Sequence, residues 1–218
     1  MSKLNNREDF KKFFNVSRET ISMFNLFETI IKEFGNNSNI ISRNSMNSIW
    51  SRHFADSAKL FSILHDVAFP RKESLSICDV GSGAGFPGIV LAILNTERKM
   101  NFNLTLVESN KKKINLLLYI IKTLKLNVDV KNERVENMNE RFDLITARAL
   151  APLRKILENT SKIVHPRTIY LLPKGKSWKD EVNQIKKKWN YEVNIVKNNT
   201  ILDKSGGVTL IIKKLRIK

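Results

Sequence analysis

The chain has 218 residues and a 42% hydrophobic content, enough for one well-buried globular domain with a short extension. Its formal charge of +17 exceeds what a soluble enzyme of small metabolites needs and fits a polyanionic partner. Lysine and arginine gain affinity by releasing counterions from phosphates; a genomic bias towards Lys, Asn and Ile is the plainer reading of the same composition. No apolar run approaches the roughly 20 residues of a membrane span, and Met1-Ser2-Lys3-Leu4-Asn5-Asn6 lacks the apolar stretch of a signal peptide. A single cysteine, Cys78, excludes an internal disulfide and a cysteine zinc cluster. A cytoplasmic location and no membrane partner are expected.

In chain order, residues 7–34 show helical spacing through Phe10, Phe13, Phe14, Ile21, Phe24, Phe27 and Ile31. Gly35 and the Asn-rich stretch after it are expected to stop that helix. A second helical stretch covers roughly 48–64, and 66–74 reads as a loop. From there short apolar runs alternate with helical segments. The strand candidates are 75–80, 104–108, 128–131, 142–146, 168–173, 192–196 and 208–213. The helices between them are 88–94, 111–124, 152–164 and 178–189. This alternation predicts a doubly wound α/β sheet with helices on both faces. Only a turn-rich segment with Gly206-Gly207 separates the last two strands, which favours an antiparallel hairpin at the sheet edge. The expected organisation is a helical extension over 1–66 packed on a single unit over 67–218.

Residues 79–88 read Asp-Val-Gly-Ser-Gly-Ala-Gly-Phe-Pro-Gly, after the first strand and at the start of a helix. Gly81, Gly83 and Gly85 allow a tight turn and close approach of a ligand to the backbone. Pro87 suits the first turn of a helix, where its missing N–H is not needed. Gly83 to Gly88 formally matches the dinucleotide pattern G-x-G-x-x-G, which alone is weak. Glu108, at the end of the second strand, suits a ribose diol in either a nicotinamide or an S-adenosylmethionine enzyme. The start of the loop separates the two: Asp79-Val80-Gly81-Ser82-Gly83-Ala84-Gly85 is the D-x-G-x-G-x-G form of S-adenosylmethionine enzymes. The seven strands with an antiparallel last pair fit the same reading. The expected fold is therefore the α/β class I S-adenosylmethionine-dependent methyltransferase fold: a Rossmann-like, seven-stranded, mostly parallel sheet with an antiparallel last strand, plus the helical extension.

Several further segments, in order along the chain, resemble the RsmG/GidB family of small-subunit ribosomal RNA guanine-N7 methyltransferases. They are Arg52-His53-Phe54-Ala55-Asp56-Ser57, the glycine loop itself, and Leu106-Val107-Glu108-Ser109 with Lys112-Lys113. Arg134-Val135-Glu136, Phe142 to Ala149 and Lys174-Gly175 complete the set. Phe86 stands where the family more often has leucine. The resemblance implies methyl transfer from S-adenosylmethionine to N7 of a guanine in 16S rRNA, free or in the small ribosomal subunit. It implies cofactor contacts at Gly81, Phe86, Val135, Glu136 and Arg148, joining Gly83, Gly85 and Glu108. Arg148 is also suited to an RNA phosphate through its two-pronged guanidinium. Lys112, Lys113 and Lys174 are the other candidate RNA contacts.

Methylation at N7 needs no general base, because that nitrogen already carries a lone pair; positioning and electrostatics suffice. Consistently, the stretch after the fourth strand, Thr146 to Pro152, holds no N-P-P-Y segment of the exocyclic-amine enzymes. No Pro-Cys nucleophile occurs, and Cys78 reads as a buried apolar residue. His53 is expected to pack the extension on the core and bond to Asp56 or Ser57. His65 and His165 have no ligand-like spacing, so no metal is expected. The remaining alternatives are a methyltransferase of another substrate and a noncatalytic RNA-binding protein on the same fold.

Overall fold

The computed structural model describes residues 6–37, 46, 48–68, 74–197 and 207–218. The first helical stretch is two helices. Helix α1 (Arg7–Phe14) starts at Asn6, whose side chain accepts from the backbone N–H groups of Glu8 and Asp9. It ends where Asn15 turns left-handed at φ 47°. Helix α2 (Arg18–Asn37) then buries Ile21, Phe24, Phe27, Ile30 and Ile31 along one face. It runs through Gly35 instead of stopping there. A glycine costs only about 1 kcal/mol against alanine within a helix, and Phe34, packed on the ring of Tyr119 at 5.6 Å, anchors the last turn. The Asn-rich stretch that follows lies largely outside the described residues, as does most of the predicted loop over 66–74.

The second helical stretch opens with a π-helical segment (Ile49–Phe54) that passes directly into α3 (Ala55–Ala68). Its wide turn brings Trp50 and Phe54 onto Phe10 and Phe24, with ring centroids 5.0–6.4 Å apart. Trp50 also donates its indole N–H to Glu28 at 2.8 Å.

The remainder alternates as expected: β1 (Leu75–Val80), α4 (Gly88–Arg98), β2 (Phe102–Val107), α5 (Lys111–Leu124), β3 (Asp129–Lys131), β4 (Leu144–Thr146), α6 (Leu153–Asn159), β5 (Ile169–Lys174), α7 (Trp178–Ile185), β6 (Trp189–Lys197) and β7 (Val208–Ile217). The helix predicted over 152–164 breaks after Asn159 into a 3-10 turn, and the one over 178–189 ends at Ile185. The sheet order is β3-β2-β1-β4-β5-β7-β6. Strands β1 to β5 are parallel; β7 runs antiparallel between β5 and β6, leaving β6 at the edge. The predicted Gly206-Gly207 turn lies partly outside the described residues.

Alternate residues of each strand face opposite layers, as the pleat requires. Ile77, Leu106, Leu144, Leu171 and Ile211 join the core shared with α1 to α5. Cys78, Val107, Ile145, Leu172 and Leu210 join the core under α6 and α7. Helix α4 lies between the sheet and the N-terminal helices and is buried continuously from Gly88 to Leu94. That explains its uniformly apolar sequence. The extension thus shares one apolar core with the sheet. The strand order reverses between β1 and β4, so the crevice for a ligand opens at their carboxyl ends.

Candidate active site

The loop after β1 is built from three glycines with positive φ: Gly81 at 69°, Gly83 at 59° and Gly85 at 99°. These are conformations that L side chains rarely adopt. The N–H groups of Gly81 and Ser82 both donate to the carbonyl of Val107, at 2.8 and 3.1 Å, tying the loop to the end of β2. The loop has two sides. A Cβ on Gly83 would meet only the Gly81 carbonyl, at 3.8 Å, so this position faces open space. A Cβ on Gly85 would collide with Ile89 and crowd Phe27 of α2. Phe86 points the same way: it stacks on Phe27 at 5.3 Å and lies 4.8 Å from the His53 ring. Gly85 and Phe86 therefore seat the N-terminal helices, and Gly81 and Gly83 face the crevice.

Beneath the loop lies Asp79, wholly buried. Its Oδ2 accepts from the N–H of Gly88 at 3.0 Å. Its Oδ1 has no partner among the described residues; nor has Oγ1 of Thr146, its register partner across β1 and β4. Burial pushes the Asp79 carboxyl up to about 7.

Glu108 follows β2 and is 8% exposed. Its Oε2 accepts from the Gly83 N–H at 3.1 Å and its Oε1 from the Asn110 N–H at 2.9 Å. Lys113 lies 3.9 Å away. This carboxylate sits on the wall of a cavity of about 350 Å³. Gly81 and Val107 form one side, and Arg134, Val135 and Glu136 the other. The size suits a nucleoside-containing ligand. The donor set is also right: a nearly buried carboxylate for hydroxyls and the apolar Val135 for a flat ring. S-adenosylmethionine fits these residues.

A second cavity, of about 480 Å³, adjoins the first. The two share the segment Ala149-Leu150-Ala151 after β4. Ala149 is held at φ 53°, a strained position for a residue with a Cβ, costing roughly 1 kcal/mol. Leu150 lies so close over Gly81 that a Cβ there would collide with it, which places Leu150 between the two cavities. The second cavity is lined by Arg52, Asp56, Arg148, Lys174 and Glu181. Arg148 Nη1 lies 3.0 Å from His53 Nδ1, and its Nη2 donates to Asp56 Oδ2 at 3.3 Å. A guanidinium has no acceptor, so His53 must accept at Nδ1 and carry its proton on Nε2. Burial, then the neighbouring Arg148 and Arg52, pull the His53 pKa down to about 3, in keeping with a neutral ring. Lys174 and Glu181 pair at 2.7 Å, and Glu181 also accepts from the Leu153 N–H at 2.6 Å.

Among the residues picked from sequence, Gly81, Glu108, Val135, Glu136 and Lys113 meet at the first cavity. Arg148 and Lys174 stand at the second. Lys112 lines neither; it is exposed at the start of α5, its N–H capped by Asn110. His53 bonds through its ring to Arg148 instead of Asp56 or Ser57; only its backbone carbonyl meets the Ser57 hydroxyl, at 2.7 Å. Sequence reasoning does not select Arg52, Asp56 or Leu150. Arg52 and Asp56 share with His53 the segment that resembles the family, which is the signal that could have found them. Among the described residues, no group of His, Cys, Asp and Glu is placed to hold a metal, and no helix is long and apolar enough to cross a membrane.

The architecture matches solved methyltransferases. The chain superposes on a class I S-adenosylmethionine-dependent methyltransferase from Listeria monocytogenes with a TM-score of 0.62, at 12% identity, covering 98% of this chain and 70% of that one. Against magnesium protoporphyrin IX methyltransferase from Synechocystis PCC 6803, solved with S-adenosylmethionine bound, the TM-score is 0.60 at 11% identity, covering 86% and 97%. At these identities the likeness concerns the fold. Sequence carries it further. The chain is 35% identical over 205 residues to ribosomal RNA small subunit methyltransferase G of Bartonella tribocorum, covering 93% of this chain and 91% of the relative. It is 37% identical over 182 residues to the protein of that name from Cereibacter sphaeroides, covering 83% and 85%. The family model for GidB, rRNA small subunit methyltransferase G, matches residues 20–207, which include the glycine loop, Glu108 and both cavity walls. With that span matched, the chain belongs to the GidB family of rRNA small subunit methyltransferases.

Proposed function

We propose that this chain transfers a methyl group from S-adenosylmethionine to N7 of a guanine in 16S rRNA, acting in the cytoplasm on the rRNA or the small ribosomal subunit. The observation that carries the reading is the pair of adjoining cavities at the carboxyl edge of the sheet, one built for a nucleoside cofactor and one lined by Arg52, Arg148 and Lys174. S-adenosylmethionine supplies an electrophilic methyl on a sulfonium, which guanine N7 can accept through its lone pair without losing a proton first.

The work left to the protein is positioning and charge. Glu108 accepts from the ribose hydroxyls while the Gly83 and Asn110 N–H groups hold its carboxylate in place. Val135 and Glu136 bound the adenine, and Gly81 lets the ligand approach the backbone. Arg148 and Lys174, beside the second cavity, draw the RNA phosphates to it. The net charge of +17 adds long-range attraction to rRNA.

Incubation of the protein with isotope-labelled S-adenosylmethionine and small subunits from a strain lacking the native methylation tests the proposal. The expected result is label in 16S rRNA at a single guanine, with strand scission there after the borohydride and aniline treatment that marks N7-methylguanine. Label that resists scission, or label in another RNA, refutes the assignment.

A further inference from the structure

The first cavity has a wall that no sequence motif marks. Helix α6 starts just after the segment Ala149-Leu150-Ala151 and lines the cavity with Lys155 and Asn159. Four residues apart, these two share one face of the helix, about 6 Å from each other along its axis. The far end of α6 is tied to Val135 and Glu136. The 3-10 turn that follows the helix (Ser161–Ile163) packs on the turn formed by Val135–Asn137, and Lys162 Nζ donates to the Glu136 carbonyl at 3.0 Å. Asn159 therefore stands beside Val135 and Glu136, and Lys155 stands one turn nearer Leu150. The neighbours of Asn159 in sequence are engaged elsewhere. Glu158 pairs with Arg154 and Lys188 at 3.2 and 3.0 Å. The Thr160 hydroxyl donates to the Ile156 carbonyl and bonds to the Tyr170 hydroxyl, each at 2.8 Å. The half-buried Asn159 side chain has no hydrogen-bond partner among the described residues.

We infer that Asn159 binds the edge of the cofactor's adenine, its Oδ1 accepting from the N6 amino group and its Nδ2 donating to a ring nitrogen beside it. The inference rests on the cofactor cavity and the adenine wall assigned above. Adenine presents a donor at N6 next to an acceptor in the ring, and a carboxamide carries an acceptor next to a donor. The charged side chains of this cavity match only half of that pattern. Glu136 can only accept, and Lys113 and Lys155 can only donate. The Glu136 carbonyl already accepts from Lys162. Ser109 combines both functions in one hydroxyl, but it adjoins Glu108, where the ribose is placed. An unpaired amide on a half-buried wall also loses less to competing water than an exposed one. Asn159 is on this argument a specificity residue: it selects a purine that carries a 6-amino group and limits how the nucleoside lies against Val135.

The test is calorimetry with S-adenosylhomocysteine and with its analogue that carries hydrogen in place of the N6 amino group. It uses the wild-type chain, Asn159→Ala and Glu108→Ala, each with its fold checked by circular dichroism. The wild-type chain is expected to bind S-adenosylhomocysteine about threefold to tenfold more tightly than the analogue, the range for one hydrogen bond between neutral groups. Asn159→Ala is expected to bind S-adenosylhomocysteine about threefold to tenfold more weakly than the wild type, with its preference over the analogue reduced to within about twofold. A wild-type chain that binds both ligands equally overturns the inference. So does an Asn159→Ala chain with unchanged affinity, or one that weakens on both ligands alike and keeps the full preference, the result expected if Asn159 only shapes the end of α6. Glu108→Ala separates the two readings. If it also leaves the affinity unchanged, the cavity assignment falls, and this inference with it. If it weakens binding and Asn159→Ala does not, only the inference falls.

Discussion

Replacing Asp79 by Asn removes the carboxyl buried beneath the glycine loop and leaves its shape. The amide oxygen can still accept from the Gly88 N–H, and the amide nitrogen takes the position of Oδ1, which now has no partner. Burial raises the wild-type carboxyl from 3.8 to about 7; the hydrogen bond from the Gly88 N–H opposes that rise, and the charge on Glu108 adds to it. A raised pKa means the folded chain holds the proton after the unfolded chain has released it. The stability from this group is therefore fully present below about pH 4 and is lost as pH rises to about 7. Three pH units at about 1.4 kcal/mol each amount to roughly 4 kcal/mol. The variant has no such loss. Urea unfolding of both chains at intervals from pH 4 to pH 8 measures the difference, and titrations common to the two cancel. The variant is expected to gain roughly 4 kcal/mol on the wild type between pH 4 and 7, then hold steady. A difference independent of pH means that Asp79 is not held protonated by burial, and refutes the reasoning.

Glu108→Ala is expected to weaken S-adenosylmethionine binding by about 1–3 kcal/mol, the loss of charge-assisted hydrogen bonds; calorimetry that finds unchanged affinity in a folded variant removes Glu108 from the cofactor site. Gly83→Val is expected to keep its circular dichroism spectrum, because open space surrounds that position, and to lose cofactor binding, because the side chain fills that space at a backbone angle that suits glycine. The lysines of α5 should separate. Lys113→Ala, next to Glu108, is expected to weaken cofactor binding by less than about 1 kcal/mol, since the pair is partly exposed. Lys112→Ala should leave it unchanged. In rRNA binding across a salt series, the slope of log affinity against log salt should fall by about 1 for each phosphate that these lysines neutralise in the wild-type complex. An unchanged slope in the double variant assigns both to solvated surface.

Much of this molecule is legible without coordinates because it depends on residues close in sequence. The pleat repeats every two residues and the helix every 3.6, so Ile77 and Cys78, or Leu171 and Leu172, announce a strand buried on both faces. Only glycine sits comfortably at the backbone angles of the loop, so Gly81, Gly83 and Gly85 mark the turn by themselves. A short turn-rich link between the last strands leaves them no option but to run antiparallel. The acidic residue just after β2 follows from the same local grammar, and it does reach the loop.

What local pattern does not contain is direction in space. Gly85 and Phe86 belong to the same motif as Gly83, yet they face the N-terminal helices, because Phe27 of α2 occupies that side. Arg148 follows β4 where a cofactor contact is expected, but His53 and Asp56, more than ninety positions earlier, draw its guanidinium to the second cavity. Lys113 and Lys112 are neighbours, and a turn of about 100° per residue sends one towards Glu108 and the other into solvent. Helix boundaries differ for the same reason: α2 continues through Gly35 because packing of its apolar face outweighs a propensity cost of about 1 kcal/mol. The sequence by itself determined the elements, the glycine loop and the carboxylate that meets it, since those rest on backbone sterics and periodicity. Only the tertiary structure decided which cavity each side chain enters, because that depends on which distant segment has already filled the space beside it.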